Sequence, residues 1–379
     1  MKKKSLFVMT FGMSLSKWKE HGSIDREILP IKFLYSKFES VSVLTFGNSG
    51  KEESEILKEN GIDATVLRLP KIYNNFSVIG YFISFSLVFI YCFKNKFDII
   101  LTNQLYSSFA LLPVRLFNPN SKIILRYGFD PLLNIQRFYK KNIFKMSILK
   151  LFWKFQNRLS YLCADTVIVT HADILEFAQN KYSNKTIPSF VCPNWISPSF
   201  LNNIPAWSSR KDQVVVTGRL VKSKNIDRVI DLCSKWHLKL VIAGDGPERT
   251  LLQEYAVQSK VEAIFLGQVA SHEVATVLKE SKYYASFSLF EGAPKSTIEA
   301  LSVGCLCLLS DLPTLSAYSA LPGVFTLTEC GRLQTRDGVD FSPSFEYKSG
   351  EGVENIRIAS AFSNYELLLE DLISGYLTK

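Results

Sequence analysis

Phe290-Glu291-Gly292-Ala293-Pro294-Lys295-Ser296-Thr297-Ile298-Glu299-Ala300-Leu301 sets two carboxylates eight positions apart across a loop that enters a helix. The preceding run from Lys282 to Phe290 has the aromatic, alternating character of a buried strand. Gly292 and Pro294 break that strand, and Pro294 suits the first turn of the following helix. Glu291 then stands at the carboxyl end of a strand, where open α/β sheets bind their ligands. Glu299 lies inside the helix, about 7 Å further along at ~1.5 Å per residue. A helix N-terminus between two such carboxylates favours an anion.

The E-G-x-P-x-x-x-x-E-A setting of Glu291 and Glu299 resembles the signature of family 4 retaining glycosyltransferases of the GT-B fold. That fold is α/β, with two Rossmann-like domains facing each other across an interdomain cleft. Upstream, Asp212-Gln-Val-Val-Val-Thr217 reads as a buried strand, Gly218 to Asn225 as a loop, and Ile226 to Trp236 as an amphipathic helix. Arg219 and Lys224 match the two basic positions of the family's loop, and they suit a diphosphate as a planar fork and a point charge. Asn225 replaces the family's usual Gly, and Asn also accepts left-handed backbone. Lys222 reads as solvated.

Further segments follow the family's order. Leu238–Ala243 is a strand running into the Gly244-Asp245-Gly246-Pro247 turn, with a helix from about Glu248. Val261–Leu266 is another, followed by Gly267-Gln268-Val269, which in the family passes the nucleotide base. Ser271 is positioned to cap the next helix, and Gly304–Ser310 reads as a strand. Alternating strands and helices from 212 to 327 make a Rossmann-like half.

Residues 1–194 read as a second domain of the same class, with strands near Ser5–Phe11, Ser40–Phe46, Asp63–Leu69, Asp98–Thr102, Lys122–Arg126, Asp165–Thr170 and Ser189–Cys192. Val191-Cys-Pro-Asn-Trp-Ile196 resembles the segment that closes the family's N-terminal domain. Residues 195–212, rich in Pro, Ser and Asn, read as the linker, and 213–379 as the donor domain, whose last helices (356–377) in this fold often return to the first domain. A length of 379 residues suits two domains.

The resemblance implies transfer of a sugar from a UDP- or GDP-linked donor with retention at the anomeric carbon, by a hexosyltransferase without cofactor or metal. Arg219 and Lys224 stabilise the diphosphate leaving group, assisted by the backbone of Gly292, Ala293, Pro294 and Lys295. Glu291 holds the sugar or supports its cationic ring, and Glu299 accepts the ribose hydroxyls. Gly218, Gly267 and Val269 complete the donor side. On the acceptor side stand Gly12, Asn103, Arg126 and Tyr127, each after or at the end of an expected strand. Many family members carry a His at the end of the strand expected at 122–126, where this chain has Arg126 and Tyr127. A nucleotide-sugar 2-epimerase, a phosphorylase and a non-catalytic membrane-associated scaffold share the architecture. A phosphorylase requires a pyridoxal-binding Lys that the sequence does not identify, and the intact Glu291, Glu299, Arg219 and Lys224 oppose the scaffold.

Charge divides along the chain. Residues 1–200 hold 26 Lys+Arg against 14 Asp+Glu, a net +12, whereas residues 201–379 net −3. Seven of the cations fall in 131–164 without an acid, interleaved with aromatic and aliphatic residues. That pattern suits an anionic membrane surface carrying a glycan or lipid-linked acceptor, and no nucleic-acid motif accompanies it. Phe76–Phe93 is an uncharged run of 18 residues, at the lower limit for a span, and reads as a buried or membrane-facing helix. With no secretory leader pattern at Met1–Gly12, and seven cysteines lying mostly in apolar runs, the expectation is a cytoplasmic protein peripheral to the cell membrane of a bacterium. The polar stretch 328–356 suggests no function.

Overall fold

The computed structural model describes residues 3–69, 78–128, 143–182, 187–192, 194–291, 294–328, 331–344 and 365–377. The chain divides into two compact units, Met1–Pro193 and Asn194–Lys379.

The first unit alternates strands and helices: β1 (Lys4–Val8), α1 (Leu15–Glu20), α2 (Ile24–Glu27), α3 (Leu29–Lys37), β2 (Ser40–Thr45), α4 (Gly50–Glu59), β3 (Thr65–Arg68), α5 (Val78–Lys94), β4 (Ile99–Thr102), α6 (Leu111–Phe117), β5 (Lys122–Tyr127), α7 (Ile143–Cys163), β6 (Thr166–Val169), α8 (Ala172–Tyr182) and β7 (Ser189–Val191). Its seven strands are ordered β3-β2-β1-β4-β5-β6-β7, each parallel to its neighbours. Parallel strands need crossovers, so helices cover both faces and the strands read as near-continuous apolar runs. Phe7, Val8, Ile99, Ile100 and Leu101 are all inaccessible to solvent.

The second unit holds α9 (Pro198–Leu201), β8 (Lys211–Thr217), α10 (Ile226–Trp236), β9 (Lys239–Ala243), α11 (Arg249–Gln258), β10 (Ala263–Gly267), α12 (Ser271–Lys279), β11 (Ser281–Ser286), α13 (Lys295–Ser302), β12 (Leu306–Ser310), α14 (Ser316–Ser319), β13 (Val324–Leu327), β14 (Leu333–Gln334) and α15 (Tyr365–Leu377). The strand order is β10-β9-β8-β11-β12-β13-β14, parallel except for the antiparallel β13–β14 pair. Alternate residues of each strand feed opposite faces. Val214, Val216, Tyr283 and Ala285 join Ile226, Val229, Ile230 and Cys233 of α10 in one core. Val215 and Tyr284 join Ala275, Leu278, Ile298 and Leu301 of α12 and α13 in the other. The buried positions of α10 recur at three- and four-residue intervals, the period of a helix with one apolar face.

In both sheets the order reverses at an inner pair, β1–β4 in one and β8–β11 in the other. Crossovers leave such a pair toward opposite sides, so the loops at its carboxyl end part and leave a crevice. The loops after β8 and β11 contain Arg219, Lys224 and Glu291. Topology therefore brings the two sequence motifs to one place.

Several expectations are corrected. β11 ends at Ser286 rather than Phe290, and Leu289 stands 62% exposed in the loop. Ser271 is the first residue of α12, which follows Ala270. The start is closed instead by the Glu273 carboxylate, accepting from the Ala270 N–H at 2.8 Å. β1 ends at Val8, three residues before Phe11. Within 195–212, Phe200 and Ile196 are buried in the second unit's core, and the Lys279 ammonium donates to the Ser199 carbonyl at 2.6 Å. Within 328–356, β14 pairs with β13 and Phe341 sits edge-on to Tyr283, Trp236 and Phe325. That stretch is polar in composition, yet it carries a core plug.

Candidate active site

The site starts at Gly218, whose φ of +119° ends β8 in a conformation that a side chain disfavours. The next strand's turn is pressed against it. A Cβ on Gly244 would lie 1.9 Å from the Gly218 carbonyl oxygen, and one on Gly246 would lie 2.3 Å from that of Leu220. Three backbone bonds lock the turns together: Gly218 N–H to the Ala243 carbonyl at 3.0 Å, Leu220 N–H to Asp245 at 2.9 Å, and Glu248 N–H to Leu220 at 3.2 Å. The Gly-Asp-Gly turn thus acts as a backbone cradle for the basic loop. Gly267 forms a bridge with the same Gly244 and takes φ +74°, so Gly218 and Gly267 converge. Val269 follows two residues on, half-buried, before α12.

Arg219 is exposed at the rim of the turn and has no ion pair among the described residues. The loop then tightens through Lys222–Lys224 and ends at Asn225, with φ +50° and ψ +42°, the left-handed conformation that its Asn tolerates. Lys222 is exposed, whereas Lys224 turns toward the loop after β11. Its ammonium meets Glu291 Oε1 at 2.5 Å, with the side chains 29% and 15% exposed. Ser288 donates to that same oxygen at 2.7 Å. The Leu289 N–H donates to the Ser223 carbonyl at 2.8 Å, a second tie between the loops.

Gly292 and Ala293 lie outside the described residues. Pro294 is buried and precedes α13, its carbonyl accepting from the Ile298 N–H at 3.1 Å, and Lys295 opens the helix. Glu299 is the fifth residue of α13 and only 6% exposed. Beneath the loop lies Tyr284, fully enclosed. Burial pushes its phenol well above its usual range, the Glu291 charge adds to that, and side-chain bonds to Thr297 and Ser286 oppose it.

In the first unit, Gly12 takes φ +77° after β1, and its carbonyl accepts from the Lys17 ammonium at 2.6 Å. Asn103, 4% exposed, donates to Thr10 Oγ1 at 3.1 Å and ties the ends of β4 and β1. Gln104 packs where Gly128 has no side chain, since a Cβ there would lie 2.7 Å from its Oε1. Arg126 is 1% exposed at the end of β5, and its charge opposes the burial that pushes the Cys192 thiol up to about 11. Tyr127 is corrected: its ring is inaccessible and stands edge-on to Tyr161 at 5.9 Å, so it belongs to the core and not to the acceptor side. Strand alternation decides this, because neighbouring residues of β5 point to opposite faces.

Sequence reasoning missed Ser288, the cradle role of Gly244 and Gly246, and Glu53. Glu53 lies on α4, completely buried, and accepts from the Leu15 N–H (2.9 Å), the Ser16 N–H (3.1 Å) and the Ser16 (2.8 Å) and Thr45 (2.7 Å) hydroxyls. A serine three residues before a loop glutamate signals a local side-chain bond. Nothing local marks Glu53.

A separate surface of the first unit is apolar. On α7, Ile148, Leu151, Phe155 and Leu162 are 52–71% exposed, while Asn157, Ser160 and Tyr161 on its other side are buried. α5 packs on α6 and α6 on α7. Phe89 and Phe93 of α5 meet Phe117 at 4.6 and 5.5 Å while remaining 41% and 68% exposed. Among the described residues no helix is long and apolar enough to cross a membrane. Residues 131–142 and 70–77 lie outside them.

Residues 200–320, which contain both loops, match the family model for glycosyl transferases group 1. One subunit of the human phosphatidylinositol N-acetylglucosaminyltransferase is 31% identical over 123 residues, covering 30% of this chain and 25% of that protein. The amylovoran biosynthesis glycosyltransferase AmsD of Erwinia amylovora is 28% identical over 162 residues, 41% of this chain and 45% of its own. The chain spans 18% to 57% of the lengths of the curated relatives it matches. HepE of Anabaena, solved with UDP and glucose, superposes with a TM-score of 0.62 at 13% identity, covering all of both chains. That likeness concerns the fold: two mostly parallel seven-stranded sheets with helices, the GT-B architecture.

Proposed function

We propose that this protein is a retaining glycosyltransferase of the family 4 type. It moves a hexose from a nucleotide diphosphate sugar, UDP- or GDP-linked, to a glycan or lipid-linked acceptor at the cytoplasmic face of a bacterial membrane. The observation that carries the reading is the joining of the β8 and β11 loops at the switch point, with Lys224 on Glu291 at 2.5 Å and Glu299 buried in the helix that follows.

The bond between the anomeric carbon and the diphosphate oxygen breaks as the acceptor oxygen bonds that carbon on the same face, and the proton of the acceptor hydroxyl passes to the departing phosphate oxygen. Charge grows on the leaving diphosphate, and Arg219, Lys224 and the N-terminus of α13 stabilise it. Glu291 accepts sugar hydroxyls and supports the cationic ring. Glu299 accepts the ribose hydroxyls. Asn103, Gly12 and Arg126 form the acceptor side.

The membrane reading rests on the exposed apolar stripes of α5 and α7, with Lys150, Lys154 and Arg158 along α7. Contiguous apolar surface of this kind marks interaction sites, and near an anionic surface each cation contributes ~1 kcal/mol. The AmsD and phosphatidylinositol-directed relatives agree with an acceptor of this class.

Calorimetric titration with UDP, GDP and ADP tests the donor site, with CMP as a monophosphate comparator. One diphosphate binds wild type, and both Glu299→Ala and Arg219→Ala lose binding and turnover while keeping their circular dichroism. Full activity of a folded Arg219→Ala protein refutes the site.

A further inference from the structure

We propose that Ser288 is a positioning residue for Glu291, holding one carboxylate oxygen so that the other meets the sugar of the donor. The inference rests on the nucleotide-sugar reading above and deepens it.

Both described bonds to Glu291, from Lys224 Nζ at 2.5 Å and Ser288 Oγ at 2.7 Å, end on Oε1. A carboxylate offers lone pairs on both oxygens, and Oε2 accepts none among the described residues. Oε2 is the oxygen left for a ligand hydroxyl, on a side chain 15% exposed. The two grips differ in kind. Lys224 is a cation on a flexible stem, 29% exposed, and a diphosphate in the basic loop draws it away from Glu291. Ser288 is neutral and 1% exposed, and no phosphate competes for it. It is also backed from behind: its Oγ lies 3.3 Å from Ser286 Oγ. When the diphosphate takes Lys224, Ser288 keeps Glu291 aimed at the sugar.

The test is the ratio of two affinities, because a nucleoside diphosphate reaches Lys224 without touching Glu291 Oε2, whereas the sugar nucleotide needs both. UDP is paired with UDP-glucose and GDP with GDP-mannose, titrated into wild type, Ser288→Ala and Ser288→Thr. The expected Ser288→Ala protein binds the diphosphate within about twofold of wild type and the sugar nucleotide about tenfold more weakly, the loss of one charge-assisted hydrogen bond. Ser288→Thr keeps the hydroxyl and restores the ratio. An unchanged ratio in Ser288→Ala overturns the proposal, as does an equal loss of both ligands in the two variants. If wild type binds none of these ligands, the nucleotide-sugar reading itself fails; if it binds them and the ratio does not move, only the role of Ser288 does.

Discussion

Glu53→Gln is the most exacting test of the architecture, because the substitution keeps shape and volume and removes only acceptor capacity. Glu53 is fully buried, and its two oxygens take four bonds at 2.7–3.1 Å, two of them from the backbone N–H groups of Leu15 and Ser16 at the start of α1. Gly47 makes room for it, since a Cβ there would lie 2.4 Å from the Glu53 side chain. The Ser16 and Thr45 hydroxyls can rotate, but a backbone N–H cannot. Glutamine accepts at one oxygen only, so its NH2 faces one of the two N–H groups. A buried donor left unmade costs about 1–3 kcal/mol, and the remaining bonds lose the charge that roughly doubled them, for a total of about 3–5 kcal/mol. For a unit of this size that lowers the midpoint of its transition by roughly 6–20 °C. Calorimetry measures the transition, and hydrogen exchange at the Leu15 and Ser16 amides reads the loss locally. A melting point within about 2 °C of wild type, with unchanged exchange at both amides, refutes the reasoning.

Two other expectations follow from close packing. Gly246→Ala places a Cβ 2.3 Å from the Leu220 carbonyl oxygen and 2.7 Å from its nitrogen, both backbone atoms, so the loop bearing Arg219 and Lys224 shifts. Nucleoside diphosphate affinity falls by about tenfold or more, and unchanged affinity by calorimetry shows that the cradle is dispensable. Burial pushes the Cys92, Cys233 and Cys305 thiols up to about 12. At pH 8 they lie below that value and stay protonated, and only the thiolate attacks. The six described cysteines, all buried, stay inert to Ellman's reagent until denaturant opens the fold. Rapid native-state labelling of any of them, mapped by mass spectrometry, contradicts this.

Much of the second unit was legible because its information is local. Val214–Val216 form an apolar run, α10 has a helical period bounded where the sequence places it, and Asn225 is a residue that tolerates φ +50°. Motif spacing placed Glu291 and Glu299 on a loop and the helix it enters. The error at β11 has a local cause: Phe287, Leu289 and Phe290 continue the apolar pattern of the strand, yet Leu289 is drawn out to bond Ser223 on another loop. Tyr127 was misplaced because an aromatic at a strand end looks the same whether it faces a ligand or a core.

By itself, the sequence determined the class of each half, the order of its strands and helices, and the residue types able to handle a diphosphate and a sugar. The tertiary structure decided which of them meet. Lys224 and Glu291 stand 67 residues apart in the chain and 2.5 Å apart in space. Glu53 reaches the start of α1 across 38 residues, and Phe341 fills a core from a stretch that reads as a loop. Hydrophobic period and turn chemistry act over a few residues and can be read along the chain. Pairing of charges and closure of a core depend on which strands lie side by side at the switch point, and only the folded sheet specifies that.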